Sequence, residues 1–67
     1  MTYTAVICKE NDWYVAECPE TGTVSQGHTI EDAIANLREA TALYLEEFPR
    51  PAKNAPFLTT FEVPAYA

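Results

Sequence analysis

Few side chains in this 67-residue chain could do covalent or metal chemistry, and their spacing argues against it. The thiols are Cys8 and Cys18, and the single imidazole is His28. If Asn11 and Asp12 form a two-residue turn, Cys8 lies opposite Val15 and Cys18 opposite Ala5, with the two thiols on different sheet faces. A disulfide needs Cα atoms within about 7 Å and converging side chains. Both cysteines are therefore expected to be reduced and mostly buried. Cys8, Cys18 and His28 also lack zinc-ligand spacing. The string Gly27-His28-Thr29 supplies no nucleophile arranged as in a triad. Two-metal nuclease chemistry needs several carboxylates converging on ions about 4 Å apart. The first strand offers Ala5, Val6 and Ile7 where an aspartate is required, and Glu62, alone or with Glu39, cannot build that site. The sequence thus predicts no catalytic residue, no cofactor and no metal: the protein is not expected to be an enzyme.

Charge narrows the class of partner. Ten carboxylates against four Lys and Arg residues give a net charge of −6. The cations, Lys9, Arg38, Arg50 and Lys53, are scattered and cannot line a phosphate backbone. Direct nucleic-acid binding is therefore not expected, whereas an acidic surface steers a basic protein towards it. The plain alternative is that the charge serves solubility. No basic segment followed by a long apolar core opens the chain, and no apolar run approaches the ~20 residues that span a membrane. A cytoplasmic protein with no membrane association is expected.

The elements that position these groups can be read from periodicity. Tyr3–Lys9 and Trp13–Cys18 read as a hairpin around the Glu10-Asn11-Asp12 turn, and Pro19, with no amide to donate, ends the second strand. Thr21 and Gly22 turn the chain into a third strand, Thr23–Gln26. Gly27 is expected to take a positive-φ turn, and Thr29 to cap a helix by accepting from the Asp32 amide, an approximate capping box. Ile30, Ala33, Ile34, Leu37, Thr41, Tyr44, Leu45 and Phe48 form one apolar stripe, with Ile34, Leu37 and Tyr44 expected against the sheet. Pro49 and Pro51 stop the helix near Phe48. A proline-stiffened loop, 49–56, precedes a last strand in which Phe57, Thr59, Phe61 and Val63 alternate with Leu58, Thr60 and Glu62. The predicted fold is a single α+β domain, 1–67, with two layers in the order βββαβ. Three strands are antiparallel, and a right-handed helical crossover sets the last strand parallel to the first.

The hairpin register predicts the faces. Tyr3, Ala5, Ile7, Tyr14, Ala16 and Cys18 share one face, free of carboxylates and rich in small residues, which suits the helix. Thr4, Val6, Cys8, Trp13, Val15 and Glu17 share the other. A mixed aromatic and apolar patch of that kind marks a protein contact.

The ordered string Tyr14, Cys18-Pro19-Glu20, Ser25-Gln26-Gly27, Thr29, Glu31 or Asp32, and Ala33 resembles the pattern of the HicB antitoxins, over roughly residues 2–48. That resemblance implies a partial ribonuclease-H-like layout. It also implies a partner of the HicA type, a small basic RNA-cleaving protein with a double-stranded-RNA-binding-like fold, whose RNA-binding and catalytic surface the antitoxin would cover. Full-length HicB proteins often carry a C-terminal DNA-binding segment. Here only Pro64-Ala65-Tyr66-Ala67 follow Val63, so DNA binding is not expected of this chain. The partner surface is expected at Trp13, Val15 and Glu17, assisted by Glu20, Glu46 and Glu47. A chain this short buries only ~60% of its unfolded surface, so at least a homodimer is expected. The alternative function is a free-standing oligomer, structural or small-molecule-binding, with no toxin.

Overall fold

The computed structural model describes residues 1–49 and 57–65. Its elements are β1 (Val6–Glu10), β2 (Trp13–Cys18), β3 (Thr23–Gly27) and α1 (Ile30–Glu47), an α+β arrangement of three antiparallel strands followed by one helix. The hairpin register is the expected one, with Lys9 opposite Tyr14, Ile7 opposite Ala16 and Cys8 opposite Val15. Asn11 makes the tight turn possible at φ 56°, a left-handed conformation that asparagine tolerates better than most residues. β1 begins at Val6 rather than at Tyr3. Ahead of it, the Thr4 amide is taken by the Glu20 carboxylate, at 3.0 and 3.1 Å, instead of by a strand partner.

The turn between β2 and β3 closes on the Cys18 carbonyl, which accepts from the Gly22 amide at 2.7 Å and from the Thr21 amide at 3.3 Å. Gly22 is the residue with positive φ, 79°, and Gly27 is not. Gly27 is needed for space instead: a Cβ there would lie 2.6 Å from the Ala33 nitrogen and 2.7 Å from the Asp32 Cβ. The expectation of a positive-φ Gly27 is therefore corrected to one of close approach between the end of β3 and the first turn of α1.

Thr29 caps the helix as expected, its hydroxyl accepting from the Asp32 amide at 3.0 Å. The Phe48 amide donates to the Tyr44 carbonyl at the other end. The helix packs on β3 and β2 rather than on β1. Its buried positions are Ala33, Leu37 and Thr41, which meet Ala16 and Cys18 in the core. Tyr3, Ile7 and Tyr14 pack partly against that cluster, so the face assigned to the helix is the face it covers. The stripe is narrower than its periodicity suggested. Ile34 is half-buried, and Tyr44 is exposed, packing on Phe48 at a ring separation of 4.9 Å rather than on the sheet. The last turns run beyond the end of the three strands, so periodicity there has no sheet to meet. The Thr41 hydroxyl is satisfied by the Thr23 hydroxyl at 2.7 Å, which in turn contacts that of Thr21 at 2.8 Å. The Asn36 amide donates to the Gln26 carbonyl, a second polar tie between α1 and β3.

Cys18 is buried and Cys8 exposed, both as free thiols, which corrects the expectation that both are mostly buried. The segment expected as a last strand carries no regular secondary structure over 57–65. Phe57, Phe61 and Val63 are 97, 84 and 71% exposed, so the alternation is present without the strand it predicted. An alternating sequence becomes a strand only when a neighbouring edge supplies its hydrogen bonds, and within the described residues no edge does. The loop expected at 49–56 lies, beyond Pro49, outside the described residues. No described helix is long and apolar enough to cross a membrane.

Two substitutions test this packing in denaturant titrations. Gly27→Ala forces a methyl group into backbone and is expected to cost about 1–3 kcal/mol, as overpacking does. Leu37→Ala is expected to cost roughly 2–5 kcal/mol, as large-to-small core changes do. A loss below about 0.5 kcal/mol for either, within the ordinary surface range, would contradict the close contact described.

Candidate partner-binding surface

With α1 on one face, no element among the described residues covers the other face of the sheet. The two registers arrange it in rows that cross the strands: Val6, Glu17 and Val24 in one, and Cys8, Val15 and Gln26 in the next. The third row begins with Glu10 and Trp13 and, one step past Gly27, reaches His28. The Trp13 and His28 rings stack at 4.0 Å with planes 29° apart, so the aromatic pair forms one corner of the surface. Val6 and Trp13 are each 39% exposed and Val24 is 55% exposed, whereas Val15, at the centre, is half-buried by its neighbours. The rows contain no Lys or Arg, and Glu10 and Glu17 are their formal charges. Lys9 points to the other side, its ammonium 5.7 Å from the centre of the Tyr14 ring. The surface is thus an aromatic and aliphatic patch with a carboxylate on each outer row. It can bury apolar area against a partner and attract a basic one.

Of the residues expected at a partner surface, Trp13, Val15 and Glu17 share this face. Glu46 and Glu47 are exposed on the last turn of α1, in the opposite layer. Glu20 is elsewhere again and already occupied. Its carboxylate accepts from the Thr4 hydroxyl at 2.8 Å, from the Thr4 amide, and from the thiol of buried Cys18 at 3.3 Å. The structure therefore brings three of the six together, and Glu20 acts as a latch holding the segment before β1 to the end of β2. Sequence reasoning missed His28 as a member of the face, although extending the β2–β3 register by one residue places it beside Trp13. It also missed the latch, which joins residues 16 apart in sequence and leaves no local pattern.

Desolvation pushes the Glu20 carboxyl up, but hydrogen bonds from the Thr4 hydroxyl and amide, its own amide and the Cys18 thiol outweigh it. The pKa is held below the ordinary 4.5.

On the other side of the sheet, an open groove of about 320 Å³ runs between the segment before β1 and α1. Tyr3, Ala5, Ile34, Leu37, Thr41 and Leu45 are among its lining residues, and its exposed surface is mainly apolar.

The chain is similar, over 69 aligned residues and the whole length of both proteins, to UPF0150 protein Ta0767 of Thermoplasma acidophilum, at 32% identity. It is 50% identical over 46 residues to UPF0150 protein ssr1765 of Synechocystis, a match that covers 66% of this chain and 58% of that protein. No family model and no solved structure matches.

The latch makes a prediction about pH. A carboxyl whose folded pKa is depressed contributes stability above its unfolded pKa and loses it as pH falls through the folded one. The contribution of Glu20 should therefore be intact at pH 5 to 7 and fade below its ordinary value of 4.5. An acid titration followed by the Thr4 amide resonance should show a midpoint below 4.5. Glu20→Gln should remove that titration and reduce the acid dependence of stability. A Thr4 amide that titrates at or above the ordinary value would show that the latch does not form.

Proposed function

The chain belongs to the UPF0150 family, and from that premise we propose that it is a HicB-like antitoxin module that binds a small basic RNA-cleaving protein of the HicA type. The reading rests on one observation above all: the sheet face opposite α1 carries Trp13, Val6 and Val24 exposed, with carboxylates beside them and no cation among them. A basic RNA site is matched by such a surface in charge, and an aromatic anchor excludes water from the contact. Binding there would inhibit by occlusion, without chemistry on the RNA. The ordered string from Tyr14 to Ala33 supports the same assignment, and the UPF0150 name is compatible with it.

In this reading the protein is cytoplasmic, acts as at least a homodimer and is not an enzyme. It uses no cofactor or metal. The domain is completed by Phe57–Val63 as a fourth strand parallel to β1, which would give the partial ribonuclease-H-like layout. A likeness to a nuclease fold would carry no nuclease activity, because function resides in the site. β1 here has Val6, Ile7 and Cys8 where metal-binding carboxylates would be needed.

The roles of the carboxylates follow from their positions. Glu17 lies within the patch and Glu10 beside Trp13, whereas Glu46 and Glu47 lie in the helix layer and can act only at a distance. Surface plasmon resonance with a small basic HicA-type protein separates the two effects. Trp13→Ala is expected to raise Kd by about tenfold or more, chiefly through faster dissociation. Glu46→Gln with Glu47→Gln should slow association at low salt and leave dissociation unchanged. Toxin binding unaffected by Trp13→Ala would move the site off this face, and loss of self-association alone would identify the face as the oligomer interface.

A further inference from the structure

We propose that the groove between α1 and the segment leading into β1 is closed by residues Phe57–Val63 of a second copy of this chain, added in parallel along that segment and the free edge of β1. The inference rests on the fourth-strand reading and specifies which molecule supplies the strand.

The acceptor is incomplete in two ways. α1 lies over β3 and β2, so the helix-facing side of the segment leading into β1 opens into the groove lined by Tyr3, Ala5, Ile34 and Leu37. Among the described residues nothing pairs with the outer edge of β1. In a hairpin with a two-residue turn, the residues flanking the turn exchange both backbone hydrogen bonds and alternate positions point outward. With Glu10 opposite Trp13, the amides of Glu10, Cys8 and Val6 serve β2, and those of Lys9 and Ile7 face the free edge. An apolar groove beside an unpaired edge calls for a strand with one apolar face.

The donor has that pattern. Phe57, Thr59, Phe61 and Val63 fall on one side of an extended segment, and Leu58, Thr60 and Glu62 on the other. Placed beside β1 with the first set inward, Phe57 and Phe61 fill the groove. The second set then extends the bare sheet face next to Val6 and Cys8, adding the Glu62 carboxylate to it. The same segment is exposed in the single chain, where Phe57 reaches 97% and Phe61 84%.

Among the described residues, those that pack partly on the core cluster are Tyr3, Ile7 and Tyr14, and none comes from this segment. The sequence after α1 places prolines at 49, 51 and 56. Proline fixes its own φ and biases the residue before it towards extended backbone, which opposes a tight return onto the same sheet. Reciprocal exchange covers the groove and edge of both copies, and the interface is closed and two-fold.

The test is isotope-filtered nuclear Overhauser spectroscopy on an equal mixture of carbon-13-labelled and unlabelled full-length chains, unfolded and refolded together. The expected result is intermolecular contact between the Phe57 or Phe61 ring protons of one copy and the Ile34 or Leu37 methyl groups of the other. Sedimentation should give a dimer, and Phe57→Ser with Phe61→Ser should weaken self-association by roughly a hundredfold or more, as expected when two buried aromatic side chains are lost. Contacts seen only within one chain would overturn the exchange while leaving the fourth strand in place. Absence of any contact between the segment and the groove would overturn both.

Discussion

Where α1 crosses the sheet, the two layers meet through Ala16, Cys18 and Gly27 on one side and Ala33, Leu37 and Thr41 on the other. Only Leu37 among them is large, and the closest point is Gly27, where even a methyl group would strike the backbone of the first helical turn. This close approach fixes the helix over β2 and β3, and the rest of the structure follows from it. The Thr23–Thr41 and Asn36–Gln26 hydrogen bonds form because the helix is held near β3. β1 is left at the margin, the groove beside the segment before it open and its own outer edge unpaired among the described residues. Among the described residues the core holds four buried apolar side chains, few for a domain that stands alone. The proposed second copy and partner would each add burial to it.

The two faces then divide the work. On the helix side, the polar groups are mostly engaged in holding the fold: the Glu20 latch secures Thr4, and the threonine chain ties α1 to β3. On the other side, no hydrogen bond or packing contact among the described residues accounts for Trp13 stacked on His28 beside exposed valines. Large apolar groups kept in water without a structural task are the usual mark of a contact surface. If a strand from a second copy joins at β1, that surface grows by one row and gains the Glu62 carboxylate. The dimer would then enlarge the site for a basic partner rather than compete with it.

Much of this was legible in the sequence where the signal was local. Asn11 and Asp12 set the turn, the turn set the register, and the register placed Trp13, Val15 and Glu17 on one face. Thr29 announced the helix start through its capping geometry, and Pro49 its end. What the sequence hid was tertiary. Gly27 was read as a turn residue because close approach to Ala33 has no one-dimensional signature. Tyr44 fits the helical stripe but lies beyond the strands that could bury it. Glu20 looked like a free surface carboxylate, and only the fold brings Thr4 to it. The Phe57–Val63 alternation was visible, yet a strand is a property of a pair, and its neighbour cannot be read from its own residues.

The central claim is that β1 is an unfinished edge completed by another copy of the chain. Amide hydrogen exchange at Ile7 and Lys9, whose N–H groups face that edge, tests it most directly when followed across a dilution series. The account predicts that both are protected in the dimer and lose protection as it dissociates, while Cys8, bonded to β2, stays protected for as long as the hairpin persists. Fast exchange at Ile7 and Lys9 at every concentration, or protection that dilution leaves untouched, would contradict it.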